Sequence, residues 1–147
     1  MPPCPASPIL ALILTLSLYS AAHAGEPTPR DLRAAQCVAA LDANTHDLAR
    51  QVREGKESLR SLLLDRLVAG SAFVGDAYVR GDSDEQEARE LTDRMREAQK
   101  TLPARELAAR QTACAEEGAK LYASGNGLQR AVVKRLAKKR MDKLLGA

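Results

Sequence analysis

Residues 62–79 read "LLLDRLVAGSAFVGDAYV", the most apolar run beyond residue 25. Three ionisable groups, Asp65, Arg66 and Asp76, sit inside it. Charges are costly in hydrocarbon, so the run is read as a core helix and not as a membrane span. It does not alternate apolar with polar, as a half-buried strand would. The helix is expected over 57–80, with Gly81 as its stop. Gly70, Ser71, Ala72 and Gly75 leave one region of it thin, where a neighbouring helix can come close.

The segments on either side carry helical punctuation. Upstream, "TPRD" at 28–31 offers Thr28 as N-cap, Pro29 at the first helical position and Asp31 in the first turn. Ala34, Val38, Leu41, Thr45, Leu48 and Val52 then step by four and three until Gly55. Downstream, "SDEQ" at 83–86 reads as a capping box opening a third helix. Its seam is Ala88, Leu91, Met95, Ala98 and Leu102. Pro103 restarts the chain, and a fourth helix over 104–123 carries Leu107, Gln111, Cys114, Gly118 and Leu121 at the same spacing. Gly125, Asn126 and Gly127 make a turn into a fifth helix. The fold class is therefore all-α, a single-domain bundle of about five helices over 25–147.

Two stretches echo each other: "AYVRGDS" at 77–83 and "LYASGNG" at 121–127, offset by 44 residues. Each closes a long helix, which suggests two helical hairpins, helices two with three and four with five, beside an N-terminal helix. Gly75, Tyr78 and Gly81 give the first copy a faint resemblance to tetratricopeptide and Sel1-like repeats. That resemblance implies a protein-binding adaptor as one alternative. The chain departs from the pattern in lacking a period of about 34 residues and in placing Ala119 where a glycine belongs.

The first 24 residues hold no Lys, Arg, Asp or Glu, and "ILALILTLSLYSAA" at 9–22 ends on the small-residue site Ala22-His23-Ala24. This reads as a secretory signal cleaved after Ala24. The apolar run is shorter than the roughly 20 residues a span needs. Prolines among the first eight residues argue against a helix of the fold there. The expected destination is a periplasm or the cell exterior. Cleavage would remove Cys4 and leave Cys37 and Cys114, an even pair that an oxidising compartment converts to a disulfide. Cys114 faces inward in its helix's seam, and Cys37, four residues before Leu41, sits at the edge of the first helix's seam. A bridge between positions 77 apart would stabilise the fold by roughly 4 to 5 kcal/mol in the chain-entropy model.

Catalytic material is scarce after residue 24. His46 follows Asp42 by four, and two such groups do not make a metal site without further ligands. Asp65 and Asp76 share a helix face but are read as its solvent edge. No nucleophile elbow or phosphate-cradling loop is present in the sequence, and no cofactor is implied. Phe73, Tyr78 and Tyr122 are too few and too scattered for a stacking platform. The expectation is a non-enzymatic interaction or envelope-associated module.

What stands out is the chain's end, where "LQRAVVKRLAKKRMDKLLGA" at 128–147 sets seven Lys and Arg against the single acid Asp142. Val133, Leu136, Ala137 and Leu144 are expected on the apolar side, with Arg140 intruding. Two basic rows fill the rest: Arg130, Lys134 and Lys138, then Arg135, Lys139 and Lys143. Like charges four apart cost about 0.2–0.5 kcal/mol per pair, so an acidic neighbour would relieve them. Within the chain, "DSDEQEARELTD" at 82–93 is the candidate neighbour. Outside it, the candidates are an anionic lipid or polysaccharide surface of the envelope, or an acidic protein. Export argues against nucleic acid.

Overall fold

The computed structural model describes residues 26–81 and 84–146. In chain order these form α1 (Pro29–Arg53), a 3-10 turn (Glu57–Leu59), α2 (Arg60–Arg80), α3 (Glu85–Gln99), α4 (Ala104–Ser124) and α5 (Gly127–Leu145). There are no strands among the described residues. The expected signal at 1–24, its cleavage after Ala24, and Ser83 lie outside them.

The caps explain where the helices begin and end. Thr28 Oγ1 accepts from the Asp31 N–H, and the Asp31 carboxylate accepts from the Thr28 N–H, so two otherwise orphaned donors at the start of α1 are satisfied. The hydrogen bond from the Thr28 hydroxyl, helped by the Arg80 guanidinium, holds the Asp31 carboxyl below the usual aspartate range. At the other end of α1, Arg50 does the same for Asp47. Gly81 closes α2 with φ 66°, a left-handed conformation that a side chain would strain. The start of α3 differs from expectation: its N-cap is Asp84, one residue beyond Ser83, and the Asp84 carboxylate accepts from the Gln86 N–H at 2.7 Å. A carboxylate at this end also meets the positive end of the helix dipole.

The packing order departs from the two-hairpin division. α2 packs against α1, α4 and α5, whereas α3 turns away from α2 and lies on α1. α4 and α5 both rest on α2 and touch each other little. α1 shares the centre with α2 and buries more than one stripe. Ala35, Ala39, Ala40 and Ala49 are buried beside Cys37, Leu41, Thr45, Leu48 and Val52. Small side chains let several helices approach α1 from different sides. α3 is held to it by Leu91 and by Gln99, whose Nε2 donates to the Gln36 carbonyl at 2.9 Å. Gln99 thus takes the inner place expected for Ala98, which is exposed.

The core has two parts. One gathers Cys37, Leu41, Ala69, Phe73, Cys114 and Ala115 from α1, α2 and α4. The other gathers Leu48, Ala49, Leu63, Leu67, Ala137 and Met141 from α1, α2 and α5. Within the first, the Cys37 and Cys114 sulfurs are bonded at 2.07 Å with their Cα atoms 5.1 Å apart, and neither residue is exposed. The thin region of α2 is used as expected, with Leu41 over Gly70 and Val133 over Gly75. The tightest approach comes instead from α4. A Cβ on Gly118 would stand 2.6 Å from the Ala69 carbonyl oxygen, so α4 meets the α2 backbone itself.

Candidate functional site

α5 is launched by Asn126, whose side chain accepts from the Gln129 N–H while the Gln129 side chain accepts from the Asn126 N–H. It buries Val133, Ala137 and Met141, with Leu144 half-buried. Leu136, expected on the inner side, instead points outward at 53% exposure, and Met141 holds the inner position. The reason is spacing. Positions 133, 137 and 141 make one straight row of fours, from which 136 lies off to the side.

The basic residues are placed almost wholly toward solvent. Arg130 donates to the Ala123 carbonyl at 3.5 Å and to no acid among the described residues. Lys134, Arg135, Lys138, Lys139 and Lys143 are exposed and pair with no acid among the described residues. The acidic 84–93 stretch does not relieve them, because α3 lies against α1 and not against α5. Two of its acids have cation partners close by, Glu85 in Arg89 and Asp93 in Arg96.

Arg140 is the exception on α5. It reaches across to Asp42 of α1, which also accepts from Arg96 of α3 at 3.2 Å. Asp42 is only 13% exposed at its side chain, so one shielded carboxylate ties three helices together. His46 Nε2 stands 3.9 Å from the same carboxylate and is itself exposed. The cleft beside Asp42 is lined by Arg66, Gly70 and Arg140 among others, with a volume of about 10 Å³. Arg66 Nε is buried there without a hydrogen-bond partner. A second cleft of about 50 Å³ lies between Arg30, Phe73, Asp76 and Glu117. Its Asp76 accepts from Arg30 and Arg80, while Asp65 is exposed. No group of three or more His, Cys, Asp or Glu able to hold a metal occurs among the described residues.

The sequence alone does not bring Asp42, Arg66, Arg96 and Arg140 together. A signal existed: Asp42 sits beside the inward Leu41 and four residues after Val38, a position that calls for a cation. Arg140, intruding on the apolar side of α5, is its counterpart.

The relation of α5 to α2 sets the shape of the surface. Val133 meets Gly75, whereas Ala137 and Met141 share a cluster with Leu67 and Leu63, so the two helices run antiparallel. Val132 precedes Val133 by one residue, and Val74 precedes Gly75 by one. In antiparallel right-handed helices, one step back turns both side chains to the same side of the contact line. Val74 and Tyr78 therefore border Leu128, Val132 and Leu136 on a single face, and all five are exposed. Four residues further along α5 comes Arg140, and four before Gly70 comes Arg66. The apolar field thus leads into the arginine cleft.

No family model, no curated protein and no solved structure matches this chain.

Proposed function

We propose that this chain is an exported, non-enzymatic helical module, stapled by Cys37–Cys114, that docks through α5 on an anionic component of a cell envelope. The observation that carries this reading is the set of five α5 cations without an acidic partner among the described residues. Such charges repel one another along the helix and gain most from an external polyanion. The apolar N-terminal run supports export, and export supports an oxidised cysteine pair. No helix among the described residues is long and apolar enough to cross a membrane, so attachment would be from the side.

The test is salt-dependent cosedimentation of residues 25–147, which contain the five described helices, with envelope fragments. Binding should weaken as salt rises and when Lys134, Arg135, Lys138 and Lys139 are changed to Gln. Binding unaffected by either would remove the proposal. Export is checked separately, by intact mass of the protein recovered from its native compartment. A chain beginning at Gly25 and alkylated at Cys37 and Cys114 only after reduction is the expected result.

A further inference from the structure

We infer that the face shared by α2 and α5 seats on an anionic phospholipid bilayer, with Val132 and Leu136 at the acyl boundary and Arg66 reaching a lipid phosphate. This rests on the proposed reading of α5 as the docking element and narrows it to one partner. Three observations converge.

The first is the apolar field. Tyr78 is 87% exposed, Leu128 76% and Leu136 53%, and they lie with Val74 and Val132 on one side of the α2–α5 contact. Exposed apolar groups gathered on one face mark an interaction site, whereas scattered ones do not. A charged polysaccharide would meet the nearby cations but leave these side chains in water.

The second is charge. Arg135, Lys139 and Lys143 run along the outer flank of the same α5 face, exposed and without acidic partners among the described residues. Asp65, the exposed acid of α2, lies nine residues before Val74, two and a half turns at 3.6 residues per turn, and so on the opposite side of the helix. An apolar strip edged by Lys and Arg is the pattern of a helix lying in an anionic interface.

The third is the cleft at the end of the field. Arg66 lines the cleft beside Asp42, a carboxylate that already accepts from Arg96 and Arg140. Arg66 is left with a buried Nε lacking a partner. Buried donors are ordinarily satisfied, so this one calls for an acceptor. The cleft's volume of about 10 Å³ admits one water-sized group at most, so a lipid phosphate would stay at its mouth and meet the half-buried Arg66 guanidinium there.

The experiment uses residues 25–147 with three probes: phosphatidylglycerol/phosphatidylcholine vesicles, pure phosphatidylcholine vesicles, and dextran sulfate as a soluble polyanion. The chain holds no tryptophan, so Leu136→Trp supplies a single reporter. A blue shift with the anionic vesicles alone is expected. The double variant Val132→Gln/Leu136→Gln should lose about tenfold or more in vesicle affinity with its binding to dextran sulfate unchanged. Arg66→Gln should weaken vesicle binding severalfold. Both substituted apolar side chains are outward, and circular dichroism of the double variant should match the parent. Equal binding to dextran sulfate and anionic vesicles, with no blue shift and no effect of the apolar variants, would overturn the bilayer inference and leave α5 as a polyanion-docking helix. Binding to neither probe would overturn both.

Discussion

A methyl group added to Gly118 has nowhere to go, since the Ala69 carbonyl oxygen and Cβ lie 2.6 and 2.8 Å from where it would sit. Backbone atoms cannot step aside as a flexible side chain can, so Gly118→Ala should destabilise the bundle by about 1–3 kcal/mol. Gly127 has nothing within 4 Å and opens a helix, so Gly127→Ala should be neutral or stabilise by up to about 1 kcal/mol. Urea midpoints of the two variants check this contrast. The inward facing of Cys114 and Gly118 was legible, because both fall in a three-four row with Leu121. Asp42 was not legible, because its two partners lie 54 and 98 residues away and nothing local marks them. Asp42→Asn removes the charge that Arg96 and Arg140 share. A loss of about 1.5–3 kcal/mol is expected, as for hydrogen bonds to charged groups. A double-mutant cycle with Arg140→Met should then show coupling between the two positions.

For single elements, caps and periodicity located the helices well, since each depends on residues within one or two turns. They say which face of a helix turns inward but not which neighbour receives it, so α5 and α1 are both open to the third helix in the sequence, and it packs on α1. Charge suggested α5; Leu91, Gln99 and Arg96 put α3 on α1. Two consequences follow for the elements themselves. Added salt should raise amide-exchange protection in α5 relative to α2, because the exposed like charges are screened while the shielded Arg140–Asp42 pair is screened less. At the start of α1, the Asp31 carboxyl is held below its unfolded value by Thr28 and, secondarily, Arg80. Its contribution is therefore complete above the ordinary aspartate pKa of about 3.9 and is lost as pH falls through the lower folded value. Asp31→Asn should remove that part of the acid transition and cost about 1 kcal/mol at neutral pH through the lost capping box. Chemical denaturation of both proteins between pH 2 and 7 measures it.

Across the whole molecule, the bundle is organised around two central helices and one covalent tie. The pairing of Cys37 with Cys114 could be read ahead because only those two thiols remain beyond the expected signal. The order in which helices stack on α2 could not, since it depends on Gly118 meeting a backbone far away in sequence. Reducing the bridge between positions 77 apart should lower stability by up to about 4 to 5 kcal/mol, seen as a shift of the guanidinium midpoint with and without dithiothreitol.

The same tie divides the polypeptide into a closed loop and two open ends. A backbone cut anywhere between residues 38 and 113 leaves both products on one molecule, including a cut that severs α2 from α3. A cut in the turn at 125–126 is different in kind, because α5 lies wholly outside the loop. A protease acting there would leave the basic helix held only by its packing on α1 and α2, with no covalent tie to the disulfide-bonded remainder.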